Sequence, residues 1–198
     1  MKRFGLFALL IVMILAVAGC GKAPDAKLAQ ATAALQAAEA AGAPQYAPDA
    51  WDRAKQAVDK MKAELAAQGK RFALFRNYGK VTALAGDALR LANQALADAD
   101  AKKKQLSSEV TATLAELGKS LESARSQLSK LPRMKGLDAA ALRSALSAAG
   151  KQLDQARTNL TAGAFDRAMA VASQAREAIT KVLRAIEKAT GAPPSRKR

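Results

Sequence analysis

Histidine is absent from this chain, and cysteine occurs once, at position 20. Without an imidazole, Ser–His nucleophilic chemistry and His-ligated metal sites are excluded, and one cysteine makes neither an internal disulfide nor a multi-thiolate metal centre. Aromatics are scarce: beyond residue 20 they are Tyr46, Trp51, Phe72, Phe75, Tyr78 and Phe165. Six prolines punctuate 198 residues, with none between Asp49 and Leu131. Acidic residues are the minority, 17 Asp/Glu against 32 Lys/Arg, for a formal charge of +15. Alanine fills the space instead, with 50 copies. It is the best helix former and adds little buried area. The expectation is an all-α fold with a thin core: an elongated antiparallel helical bundle or coiled-coil array whose helices approach closely through alanine.

The first residues carry a different pattern. Lys2-Arg3 precede an apolar run over residues 4–18, shorter than the roughly 20 residues a membrane-spanning helix needs and suited to a secretory signal. The run ends in Val17-Ala18-Gly19-Cys20. These four residues resemble the lipobox of bacterial lipoproteins. The resemblance implies diacylglycerol on the Cys20 sulfur, cleavage between Gly19 and Cys20, and acylation of the new amino group. A thiol suits this step because its thiolate is the nucleophile, and two or three acyl chains anchor stably where one does not. Gly21, where an aspartate would signal retention, implies the outer membrane with the body facing the periplasm, or the outer face of the plasma membrane in a host without an outer membrane. Loss of Lys2 and Arg3 leaves 30 Lys/Arg against 17 Asp/Glu, about +13, a charge that favours anionic partners.

Periodicity divides the rest. Residues 1–19 are the expected signal, 20–24 the lipidated cysteine and short tether, 25–190 an Ala-rich helical domain, and 191–198 a basic disordered tail. Six helices are predicted. The first spans about 25–41 and is closed by Gly42. The second spans about 49–68, with Asp49 as N-cap, Asp52 at N3, and a stripe of Trp51, Ala54, Val58, Met61 and Leu65. The third spans about 71–103, with Val81, Leu84, Ala88, Leu91 and Ala95 inward. The fourth spans about 106–130 and carries a heptad seam of Val110, Leu114, Leu117, Leu121, Ala124, Leu128 and Leu131. Only Lys102-Lys103-Lys104 and Ser107-Ser108 mark a break between these two, so continuity is left open. A fifth helix follows Gly136, with Asp138 as cap, a Leu137–Leu142 staple, and Leu146, Ala149, Leu153, Ala156 and Leu160 inward. Ala162-Gly163 turn the chain into a sixth over 164–190, with Phe165, Met169, Ala172, Ile179, Leu183 and Ile186 inward.

Two blocks echo each other. Lys55-Gln56-Ala57-Val58-Asp59 is matched by Lys151-Gln152-Leu153-Asp154, and the run from Tyr78 to Ala85 by that from Phe165 to Ala172, with eight residues' difference in spacing. Two imperfect helical-hairpin repeats explain this; shared Ala-rich composition also does. Residues 28–101 resemble a domain of unknown function found in bacterial envelope lipoproteins, often near OmpA-like domains. The resemblance rests on Ala38-Glu39-Ala40-Ala41-Gly42-Ala43, Tyr46-Ala47-Pro48-Asp49 and the Ala-rich stretch 83–100. It implies an envelope location and a helical fold, and no activity.

No catalytic constellation emerges. Leu117-Gly118-Lys119-Ser120 ends like a phosphate-binding loop, but Thr113 stands where that loop needs its first glycine. Asp98 and Asp100, two apart, point to different sides of a helix. Phe72, Phe75 and Tyr78 lie among Lys70, Arg71, Arg76 and Lys80. Such a mixture can stack single-stranded nucleic acid, but the favoured expectation is a hydrophobic cluster closing the bundle end, with solvated charges. Basic clusters near helix ends, Lys102, Lys103, Lys104, Lys130, Arg133 and Lys135, are the candidate contacts for an anionic polymer. The expected function is a non-enzymatic structural or scaffold lipoprotein of the envelope. It needs no cofactor beyond the lipid on Cys20, no metal, no nucleic acid and no small-molecule substrate. Its partner is an envelope protein or an anionic polymer, lipopolysaccharide or peptidoglycan. A subunit of a transport or assembly machine and self-association through the heptad seam are the alternatives.

Overall fold

A computed structural model describes residues 23–131 and 138–190. The expected signal and lipobox, Arg133, Lys135, Leu137 and the 191–198 tail lie outside the described residues. Within them the fold is all-α: α1 (Asp25–Ala40), α2 (Ala43–Tyr46), α3 (Pro48–Gly69), a 3₁₀ turn (Ala73–Phe75), α4 (Gly79–Lys130), α5 (Ala139–Thr161) and α6 (Phe165–Thr190). The chain forms two compact units, divided between Lys102 and Lys103 inside α4.

The predicted third and fourth helices are one helix of 52 residues. Lysine, glutamine and serine at 102–108 have only modest helix penalties, and no glycine or proline interrupts the backbone there. The start at residue 71 is a correction: residues 70–78 leave the helix, and α4 begins at Gly79.

Unit 1 is built from α1, α2, α3 and the first part of α4. One cluster joins Ala38 of α1, Ala50 and Ala54 of α3, and Ala92, Ala95 and Ala99 of α4. The next joins Ala31, Val58, Met61, Ala85 and Ala88. As numbers rise along α3 they fall along α1 and α4, so α3 is antiparallel to both. Of 13 buried apolar residues among the described residues of this unit, ten are alanine. Alanine at most of the buried positions lets the helices approach closely, and larger side chains such as Leu35, Trp51 and Leu91 pack around these clusters while only partly buried.

Unit 2 is built differently. Among its described residues, 17 buried apolar ones include 11 larger than alanine, among them Val110, Leu114, Leu117, Leu121, Leu146, Leu153, Ile179 and Ile186. The heptad seam through Leu128 is buried, with Leu131 half-buried. It faces α5, because a Cβ added at Gly150 would lie 3.6 Å from Leu121 Cδ2. Within the chain, the seam therefore packs against α5.

Turns follow local chemistry. Gly42 (φ 79°) and Gly163 (φ 72°) take the left-handed conformation that glycine alone adopts without strain. Asp138 caps α5, its carboxylate accepting from the backbone N–H of Ala140 and Ala141 at 3.1 and 2.9 Å, an arrangement worth about 1 kcal/mol. The expected Asp49 cap is not formed. Pro48 opens α3 and Ala47 takes the N-cap position without a side-chain bond, so Asp52 falls two residues beyond N3. Asp49 acts instead through its charge in the first turn.

Candidate functional site: a braced apolar loop and scattered basic clusters

The most unusual surface lies where α3 gives way to α4. Residues 70–78 connect them, and Phe72, Leu74 and Phe75 are 70%, 77% and 73% exposed. Phe72 and Phe75 thus do not close the bundle end as expected, while Tyr78 is half-buried. Met61 and Val81 already fill the core beneath, and the loop's own bonds turn the apolar side chains outward. The two phenyl rings lie side by side, centroids 6.5 Å apart and tilted by 48°.

Those bonds form a brace. Gln68, 4% exposed on the last turn of α3, accepts from the Asn77 backbone N–H at 3.0 Å and donates to Glu64 Oε1 at 2.8 Å. Glu64 Oε2 meets Lys80 Nζ at 2.8 Å, joining α3 to the first turn of α4. Asn77 Oδ1 accepts from the Gly79 N–H at 2.9 Å, satisfying a donor that every helix start leaves open. Arg76 donates from Nε to the Arg71 carbonyl at 3.0 Å and from Nη2 to the Gly69 carbonyl at 3.1 Å. It thereby neutralises carbonyls at the negative end of α3. Sequence reading picked out the aromatics and the cations, and missed Gln68, Asn77 and Glu64. A glutamine in line with an amphipathic stripe was the available signal.

The brace has a pH signature. Hydrogen bonds from Lys80 and then Gln68 hold the Glu64 carboxyl below the usual glutamate range. A folded-state pKa below the unfolded one means that the stabilisation is present above the ordinary value and is lost as pH falls through the folded one. Acidification below the usual glutamate range is therefore expected to loosen residues 70–78 before the helices melt. Carboxyl-carbon NMR of Glu64, with hydrogen exchange at Asn77, checks this; a Glu64 that titrates at its ordinary value contradicts it.

Of the candidate polymer contacts, Lys102, Lys103, Lys104 and Lys130 do not form one patch, and Arg133 and Lys135 lie outside the described residues. Lys102, Lys103 and Lys104 are consecutive on α4, and at 100° per residue they fan around the helix. Lys102 and Lys104 are exposed and Lys103 is partly buried. Lys130, exposed in the last turn of α4, lies roughly 39 Å along the helix from Lys104 at 1.5 Å per residue.

The other chemical candidates fall inside regular helix. Gly118-Lys119-Ser120 is mid-helix, with Ser120 Oγ donating to the Glu116 carbonyl at 3.1 Å, so no phosphate-cradling loop exists there. A cleft of about 250 Å³ between α4 and α5 is lined by Arg125, Arg143, Leu128, Leu146, Ser129 and Ser147. Arg125 is engaged with Glu122 at 2.7 Å, and Ser129 with the Ser126 carbonyl at 2.8 Å. Among the described residues no group of three or more Cys, Asp or Glu is placed to hold a metal, and no helix is long and apolar enough to cross a membrane. No protein family, curated protein or solved structure matches the chain.

Proposed function

We propose that the chain is a non-catalytic, lipid-anchored lipoprotein of the cell envelope, acting as a structural or scaffold component through its helical surfaces. The observation that carries this reading is the joining of a lipobox-like Val17-Ala18-Gly19-Cys20 to a helical body that starts at Asp25. Five residues extend at most about 18 Å, so lipid on Cys20 holds α1 close to a bilayer. The outer membrane, periplasm-facing, follows from Gly21 in a host that has one. The basic clusters support polymer binding less well, because Lys102–Lys104 and Lys130 share no surface patch.

The reading is tested by crosslinking in intact cells, purification of the membrane-held chain and mass spectrometry of what accompanies it. One discrete envelope protein at fixed stoichiometry is the expected result. Recovery of wall fragments or lipopolysaccharide alone, released by salt, overturns the scaffold reading and favours the basic surface.

A further inference from the structure

We propose that residues 70–78 form a membrane-inserting tip, which docks unit 1 onto an anionic phospholipid surface. Three large apolar side chains sit at the apex of a connection, each more than two-thirds exposed. Isolated exposed apolar residues are ordinary, but three within four positions, with the rings side by side, form a patch. The loop is longer than chain reversal requires: α5 and α6 are joined through only Ala162, Gly163 and Ala164. It is also held in place. Gln68, Asn77 and Arg76 fix its backbone at both ends with the apolar side chains outside. An unbraced loop would be free to fold these side chains against the helices.

Charge selects the occupant. Residues 70–80 hold Lys70, Arg71, Arg76 and Lys80 and no acidic residue. Glu64 of α3 is already paired with Lys80, and the other helix that reaches this end, α1, brings one acidic residue in its first turn, Asp25. A projecting tip with Phe and Leu at its apex and cations at its base matches the layering of a bilayer surface. The apolar side chains reach the acyl boundary while Lys70 and Arg71 meet headgroup phosphates. Lys and Arg lay their own methylene stems along the same boundary. The inference goes beyond the acyl anchor and does not depend on it, since it concerns a second contact more than fifty residues from Cys20.

The test uses the full chain reconstituted into phosphatidylcholine vesicles with or without phosphatidylglycerol. Trp51→Phe removes the native indole, and Phe75→Trp places one at the tip. With phosphatidylglycerol present, its emission is expected to move to the blue and to be quenched by lipids brominated on the acyl chain. Both effects weaken in phosphatidylcholine alone and are lost on adding Lys70→Glu and Arg71→Glu, two cations whose side chains make none of the brace's hydrogen bonds; Arg71 enters the brace through its backbone carbonyl. In the same background, Ala162→Trp at the α5–α6 turn stays water-exposed. An indole at position 75 that remains water-exposed and unquenched in anionic vesicles, with helicity intact by circular dichroism, overturns the proposal. So does one shielded only when another envelope protein is added. Acylation is read separately, from the mass of the same preparation, so failure of the tip and failure of the anchor are distinguishable.

Discussion

Leu121→Asp is expected to abolish folding of unit 2. Leu121 is 5% exposed, in the middle of the seam that α4 presents to α5. Removing a buried leucine side chain costs about 2–5 kcal/mol through lost transfer and the remaining cavity. The carboxylate adds the cost of a buried, unpaired charge or of its protonation. Whole domains are stable by only about 5–15 kcal/mol, so the sum consumes most or all of what unit 2 has. Hydrogen exchange checks it by region: protection is lost over α5, α6 and the part of α4 after Lys103, while α1 and α3, whose buried partners lie in unit 1, stay protected. Lys119→Asp, two residues away and exposed, is the matched surface change and should fall within about 0.5 kcal/mol of the native chain. A Leu121→Asp chain with unchanged protection would place the seam on the surface and favour pairing with a second copy. The same burial disqualifies Leu121 as a probe of partner binding, a purpose its place in a heptad would otherwise suggest.

Ala95→Leu should damage unit 1 by the opposite mechanism. Ala95 is fully buried in a cluster whose other buried members, Ala38, Ala43, Ala50, Ala54, Ala92 and Ala99, are all alanine. The helices are close because the contacts are methyl groups, so three extra carbon atoms have nowhere to go. Overpacking typically costs about 1–3 kcal/mol and sometimes more, and the buried centre of this cluster is all alanine, with the larger side chains at its margin. Ala97→Leu, exposed on the same helix, changes intrinsic helix propensity by the same small amount and should leave stability nearly unchanged. Denaturant melts of the two variants separate packing from propensity. Equal midpoints would mean that α4 does not pack closely here.

Much of this architecture is legible in the sequence because it is local. The three-and-four spacing of Val110, Leu114, Leu117 and Leu121 marks a buried face whatever lies opposite, and all four are buried. Asp138 announces a cap through its carboxylate and Gly163 a turn through its lack of a side chain, and both occur as expected. What sequence reading misplaced depends on neighbours. Asp49 has the right chemistry for a cap, but Pro48 before it opens the helix first. Residues 71–78 contain no proline and no glycine, so nothing in their intrinsic propensity stops a helix. The interruption is supported by side chains at either end, Gln68 reaching Asn77 and Arg76 reaching back to Gly69. Such bonds cannot be read from a hydrophobic pattern, which places Phe72 and Phe75 inside the bundle where the structure holds them out.

The proposed lipid anchor on the helical body is tested most directly by the intact mass of the chain purified from membranes. The expected chain starts at Cys20, lacks residues 1–19, and is heavier than its amino acids by a diacylglycerol on the Cys20 sulfur and an acyl group on its amine. A chain whose mass is that of its amino acids alone, with residues 1–19 attached or cleaved at another bond, would contradict it.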